Sequence, residues 1–289
     1  MSTYAEREQR FLDDHEAGPG VAPHGPLAEL KRIWNLTWTL AVTDWKLRFY
    51  GSALGILWTL VRPFAYFGVI YFVFTEIAGL DKHVHNYGIY ILFALVLFTF
   101  FGEITSNNVQ ALVARENLLR KMRFNPIVIP LSITVTALLN LGMTLIAVFI
   151  FVFAHGEWPT WSWLELPVLI ALVALLATGV GMLLSTLYVR FRDVLPIWEV
   201  TLQILFYGST VLYVATSVPD KYQRFLLVNP LASIFAQMRK AVVDPQAPSI
   251  TDLFGADLRV LIPLGLTFGV FALGLWYFQR ESPRVAENL

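Results

Sequence analysis

Six stretches of this chain are long and apolar enough to cross a hydrocarbon core of ~30 Å: residues 56–78, 89–104, 127–154, 164–189, 197–216 and 258–278. The second is short unless it extends at one end. With no water at that depth, each segment must satisfy its own N–H and C=O groups, so spans of this kind fold as helices. The expectation is an all-α, multi-pass membrane protein. Composition agrees: 15% of the 289 residues are charged, where soluble domains carry ~25%. Formal net charge is zero, which offers no basic field to a nucleic acid. Cysteine is absent, which excludes disulfide frameworks, thiolate nucleophiles and Cys-based metal sites.

Ahead of the first span, residues 27–50 predict an amphipathic helix lying in the membrane interface. At ~100° per residue, Leu27, Leu30, Trp34, Trp38, Ala41, Trp45 and Phe49 fall within an arc of about 100°. Indole rings settle between headgroups and acyl chains, so three tryptophans on one stripe favour the interface. Leu36, Leu40 and Leu47 interrupt the polar face, as a protein neighbour covering that side would require. A buried helix of a soluble domain would show a similar stripe; the spans that follow favour the membrane. Gly51, Ser52 and Gly55 provide the bend into the bilayer. Residues 1–26 hold acidic residues, Gly and Pro with no apolar run, and read as a disordered cytoplasmic tail.

Lys and Arg fix the orientation. One side receives Lys31, Arg32, Lys46, Arg48, Arg115, Arg120, Lys121, Arg123, Arg190, Arg192, Arg280 and Arg284. The other receives Lys82, Lys221, Arg224, Arg239, Lys240 and Arg259. The more basic side is cytoplasmic, which puts both termini there. On the outer side, Trp158, Trp161 and Trp163 suit an aromatic belt, and residues 217–257 form a connection too long for a simple turn. Its two apolar stretches, around Asn229 and Pro230, suggest short helices re-entering the outer leaflet; a plain extracellular helix pair is the alternative.

Absences narrow the function. The centres of the last four spans hold no Asp, Glu, Lys, Arg or His, only residues such as Asn140, Thr178, Gln203, Ser209 and Thr267. Proton-coupled carriers need an acid or His there. Glu76, Glu103 and Glu199 lie near span ends. No G-x-x-x-x-G-K-[ST] phosphate loop occurs, so any driving energy comes from another polypeptide. A candidate handle for that partner is the cytoplasmic segment from Arg115 through Glu116, Leu118, Leu119, Arg120, Lys121 and Arg123, where leucines alternate with charges before Asn125-Pro126. A solvated basic loop is the alternative.

RFYGSALGILWTLVRP (48–63), LLRKMRFNPIVIPLS (118–132), YVRFRDV (188–194) and NPLASIFAQMRKAV (229–242) occur in this order. Together they resemble the permease subunits of bacterial polysaccharide ATP-binding-cassette exporters, which move O-antigen, teichoic acid and related lipid-linked glycans. The resemblance implies a homodimer in the bacterial inner membrane with six spans per subunit (51–280) and a short cytoplasmic tail (281–289). Two copies of a separate ATPase would bind beneath, and ATP and Mg would sit on that partner. It makes Glu116 to Arg123 the coupling helix, and Arg190, Arg192 and Asp193 a second contact with the ATPase. The outer gate would include Tyr222, Phe225, Asn229 and Pro230. Two positions depart from the pattern: Asn125-Pro126 replaces Phe-Pro, and Ser209-Thr210 replaces a Ser-Pro pair in the fifth span. Thr keeps the backbone N–H that Pro lacks, so the chemical reason for a kink is missing.

Within this reading, Tyr66, Tyr71 and Tyr207 are candidates for a glycan channel, because an aromatic face meets sugar C–H groups and a phenol facing lipid lacks a partner. Lys46, Arg48 and Arg62 are candidates for the lipid pyrophosphate at the inner leaflet, where charge-assisted bonds to phosphate are strong. Two other functions stay open. One is an exporter of small amphiphiles or drugs. The other is an intramembrane lipid-linked glycan transferase, disfavoured because its carboxylates are scattered on the outer side.

Overall fold

The computed structural model describes residues 26–50, 55, 57–77, 79, 84–121, 124–254 and 258–288, and within them every regular element is helical. The expected tail up to residue 25, the Gly51-Ser52 bend and Arg123 lie outside the described residues. Helix α1 (Pro26–Phe49) precedes α2 (Leu57–Phe72), which continues as a π-helical turn over Val73–Ile77. Then come α3 (Tyr87–Val109), the short α4 (Ala111–Ala114) and α5 (Glu116–Lys121), and the long α6 (Val128–Ala154) and α7 (Glu165–Arg190). The remainder is α8 (Val194–Gly208), α9 (Asp220–Leu226), α10 (Pro230–Met238), α11 (Ile250–Phe254) and α12 (Leu261–Asn288).

Among the described residues, five helical stretches are long and apolar enough to cross a membrane: Leu57–Ile77, Tyr87–Val109, Val128–Ala154, Trp161–Arg190 and Leu258–Ser282. The second extends beyond the expected 89–104 at both ends, which removes its shortness. The fifth expected span needs correction. The apolar run 197–216 is not one helix: α8 starts at Val194 and stops at Gly208, so its 15 residues reach about 22 Å at ~1.5 Å per residue. The break falls at Ser209-Thr210 although no proline is present. Tertiary hydrogen bonds described below hold the chain out of the helix there.

The hub is α3. Of its central residues 72% are buried, against 6% in α2, so α3 is the inner helix and α2 an outer one. Tyr90 to Leu97 are all buried, an apolar run with no polar face to turn outward. Around α3 pack α7, α6, α2 and α8, while α12 lies along α7 and α1 along α6. The α7–α12 contact depends on two glycines. A Cβ on Gly274 would meet the Gly179 carbonyl oxygen at 2.2 Å, and one on Gly179 would meet Phe271 Cα at 2.6 Å. Where lipid is as apolar as the helices, such close backbone approach is a main source of helix association. Gly274→Ala is therefore expected to lower the unfolding midpoint in detergent, overpacking by about 1–3 kcal/mol outweighing a helix-propensity gain of ~1 kcal/mol. Gly265→Ala, with open space around it, keeps only the gain.

Two further observations concern the ends. The segment 281–289, expected as a tail, continues α12 to Asn288, with Glu281 and Ser282 buried. The Trp-rich stripe of α1 does not all face outward. Ala41 is fully buried against α6, and the Trp45 indole N–H donates to Asn140 Oδ1 at 3.0 Å. Trp34 and Trp38 remain exposed and stack on each other. Leu36 and Leu40 are half-buried, whereas Leu47 is exposed.

Candidate functional site

Past Gly208 the backbone turns instead of continuing, and its polar groups need partners. Ser209, Thr210 and Val211 are fully buried, and Thr210 has φ +57°, a left-handed conformation that a β-branched residue adopts only under constraint. The donors come from α3. The Tyr87 hydroxyl donates to Leu212 O at 2.6 Å, and the Tyr90 hydroxyl bonds Thr210 O and lies 3.2 Å from Tyr213 O. The Tyr213 hydroxyl in turn donates to Tyr207 O at 3.0 Å.

Asn229 ties the break to the next helices. Its Oδ1 accepts the Leu231 N–H at 3.0 Å, capping α10, and Pro230 occupies the first helical position, where its missing N–H costs nothing. Its Nδ2 donates to Ser209 Oγ at 2.9 Å and to Gly208 O at 3.2 Å. One side chain thus starts α10 and ends α8. Helix α10 is buried from Leu231 to Ala236, while Tyr222 and Phe225 on α9 are exposed. Of the four expected gate residues, Asn229 and Pro230 sit at this junction and the two aromatics point away from the protein. Tyr87 and Tyr90 were not among the expected residues. Their signal is two phenols three residues apart in an otherwise apolar run, each needing an acceptor.

At the other end, two ion pairs fasten α1. Arg48 bonds the Glu103 carboxylate, which also accepts from Asn140 Nδ2 at 2.6 Å. Arg115 pairs with Asp44 and donates to Ser132 Oγ at 3.0 Å. Arg115 immediately precedes α5, the segment read as a coupling helix. Of that set, Glu116, Leu118, Leu119, Arg120 and Lys121 lie on α5, with Glu116 and Leu118 half-buried. Among the residues expected to form a second contact, Arg190 pairs with Glu281 and Arg192 sits 4.8 Å above the Tyr188 ring; Asp193 is exposed. These pairings leave Arg190 and Arg192 as braces of the α7 end as well as candidates for docking.

The phosphate candidates separate. Arg48 is committed to Glu103, whereas Lys46 and Arg62 are exposed. The channel candidates share one property. Tyr66, Tyr71 and Tyr207 are all exposed, Tyr71 resting on Phe67 and against Gly88. Tyr66 sits among exposed Trp58, Val61 and Val69 on α2, and Tyr207 among exposed Ile197, Val200 and Ile204 on α8. Large uncovered apolar faces of this kind meet lipid or another protein surface.

The family model of the ABC-2 type transporter matches residues 35–243. The O-antigen export system permease protein RfbA of Myxococcus xanthus is 27% identical over 245 residues, covering 84% of this chain and 94% of that protein. RfbA of Klebsiella pneumoniae is 26% identical over 262 residues, 89% of this chain and 96% of its own length. The polysialic acid transport protein KpsM of Escherichia coli is 23% identical over 244 residues, covering 84% and 93%.

Proposed function

Because the chain belongs to the ABC-2 type transporter family, we propose that it is the transmembrane subunit of an ATP-driven exporter of lipid-linked cell-envelope polysaccharide. The observation that carries the cargo is that relatives matched over nearly their whole length are named for O-antigen export and polysialic acid transport. The chain itself supplies no phosphate loop, so hydrolysis of ATP with Mg is assigned to a separate nucleotide-binding subunit, two copies under two copies of this chain. The exposed aromatic faces of α2 and α8 suit a path between the two permeases, with Tyr66, Tyr71 and Tyr207 offering sugars rings and hydroxyls. A sliding polymer is served by many weak, similar contacts, as single-stranded nucleic acid is by stacking.

In this reading α1 lies in the inner interface with both termini in the cytoplasm of a bacterial cell. The sixth crossing is α8 together with the buried non-helical segment that follows it. Helices α9 and α10 form the outer re-entrant gate. Lys46 and Arg62 gather the anionic diphosphate of the lipid carrier, with Arg48 beside them; α5 engages the ATPase, flanked by Arg190, Arg192 and Asp193.

The test is co-purification from the native membrane under gentle extraction. A stoichiometric ATPase is expected to accompany the chain. Charge reversal at Arg120 together with Leu118→Ala is expected to weaken its retention about tenfold, ~1.4 kcal/mol. An isolated chain with no ATPase, or retention indifferent to these changes, would overturn the assignment. For the channel, the double Tyr→Ala variant at 66 and 207 is expected to slow glycan export into vesicles while leaving the unfolding midpoint near the parent, since both rings are well exposed; adding Tyr71→Ala slows export further but also removes a ring stacked on Phe67.

A further inference from the structure

A cavity of about 260 Å³ lies between α1, the α3–α4 junction and α6. Its polar lining is Asp44, Arg48, Asn107, Gln110, Arg115 and Thr136, and the rest is alanine and isoleucine. At ~30 Å³ per liquid water it would hold about nine waters, room for a phosphoester and a short amine. Its depth follows from α1. The same helix exposes Trp34 and Trp38, rings that settle at headgroup level, so the cavity sits where phospholipid headgroups do.

The charges decide what fits. Both arginines already face carboxylates, Arg48 that of Glu103 and Arg115 that of Asp44, so the site is neutral as a whole. A carrier diphosphate with two or more negative charges would meet those carboxylates unbalanced, and a lone cation would meet the guanidiniums. A zwitterion matches both signs. Its phosphate takes the N–H edges that each guanidinium keeps beyond its ion pair, and its ammonium faces the partly exposed Asp44 carboxylate. The side-chain amides of Asn107 and Gln110 make no hydrogen bond to the described residues and are exposed at the rim. They offer carbonyls to an ammonium and N–H groups to a phosphate or ester. A quaternary ammonium is recognised by aromatic faces, and among the described residues no aromatic lines this cavity. A primary ammonium needs acceptors, which are present.

We infer that this cavity binds the phosphoethanolamine headgroup of a zwitterionic phospholipid of the inner leaflet. The lipid bridges the interfacial helix to the start of the α4–α5 segment, and it is distinct from any transported cargo, so it stands whether or not the cargo is a glycan.

The full-length chain, purified and stripped of lipid, is offered vesicles of phosphatidylglycerol mixed with either phosphatidylethanolamine or phosphatidylcholine, and vesicles of phosphatidylglycerol alone. Lipid retained after extraction is read by native mass spectrometry. Phosphatidylethanolamine is expected to be retained about tenfold over either competitor, ~1.4 kcal/mol. Soluble O-phosphoethanolamine is expected to displace it, which locates recognition in the headgroup. Asp44→Asn removes the ammonium partner but also disturbs Arg115, so Gln110→Leu, which touches neither ion pair, is measured beside it. Both are expected to reduce the preference, and Gln110→Leu should leave the unfolding midpoint in phosphatidylcholine unchanged. Equal retention of the three lipids, preference for phosphatidylglycerol, dependence on acyl chain instead of headgroup, or an unchanged preference in both variants would each overturn the site.

Discussion

Tyr90→Phe is expected to lower the stability of the protein in detergent by about 1–3 kcal/mol, the cost of leaving a buried backbone acceptor without its donor. The ring stays and no cavity opens, so the whole effect belongs to the hydroxyl. That hydroxyl bonds Thr210 O and lies 3.2 Å from Tyr213 O, while Tyr87 reaches one acceptor among the described residues, Leu212 O, so Tyr87→Phe should cost less and the double variant more than either. Tyr66→Phe is the control: its ring is exposed and its hydroxyl makes no hydrogen bond to the described residues, so the change should stay within about 0.5 kcal/mol. The consequence for transport follows from Asn229, which bonds both Gly208 O and Ser209 Oγ at one end of this segment and caps α10 at the other. If the break slackens, α10 loses its fixed start. In vesicles containing the ATPase, Tyr90→Phe should therefore uncouple glycan export from ATP hydrolysis, export falling more than hydrolysis. A Tyr90→Phe protein as stable as the parent would mean that water reaches these carbonyls and that the segment lines an aqueous cavity.

The same break shows where sequence reading stops. Helices that follow from apolar length alone were legible: the stretches behind α2, α3, α6, α7 and α12 are set by bilayer thickness and by the need to close backbone hydrogen bonds within the segment. α8 was not, because 197–216 is just as apolar on both sides of Ser209. What ends the helix is a pair of hydroxyls from α3, more than a hundred residues away in sequence. Local chemistry pointed the wrong way, since Thr210 carries no proline-like constraint and still takes a left-handed φ. Tertiary bonds to Thr210 O and Leu212 O override the local preference.

The α1 helix divides in the same manner. Its periodicity was legible, and Leu36 and Leu40 on the wrong face signalled a protein neighbour. The neighbour's identity was not: α6 packs along α1, and Trp45, Arg48 and Asp44 bond Asn140, Glu103 and Arg115, far away in sequence. The candidate sites followed residue type more faithfully than geometry. Arg48 was read as a candidate for the lipid pyrophosphate and Arg190 as a contact with the ATPase, whereas each has a carboxylate partner that no local pattern announces. The short helix after Asn229-Pro230 was legible from the apolar stretch that follows, and α10 begins there with Asn229 as its cap and Pro230 in its first turn.

Glu103→Ala is expected to be among the costliest single changes at the α1 end of the bundle, since one carboxylate there serves two elements. It accepts from Asn140 Nδ2, whose Oδ1 accepts from Trp45 on α1, and it pairs with Arg48, also on α1. A fully buried ion pair that loses one partner costs ~3–5 kcal/mol. This one is screened, with side chains 41% and 20% exposed, so a loss of about 2 kcal/mol is the appropriate expectation. Glu103→Gln keeps an acceptor for Asn140 and loses only the charge, so it should cost roughly half as much. Arg48→Ala leaves the carboxylate its amide donor and should also be milder. If the three residues act as one network, the double variant of Arg48 and Glu103 to Ala will be less destabilised than the sum of the singles, by about 1 kcal/mol in a denaturant-unfolding cycle. Strict additivity would break the network into unrelated contacts. The cycle also decides what Arg48 does in transport. Should Arg48→Ala lower export in proportion to the loosening of α1, and Glu103→Ala do the same, the arginine acts by holding α1 in place. A loss of export on Arg48→Ala alone, with stability intact and Glu103→Gln unaffected, would instead place its guanidinium on the diphosphate of the cargo.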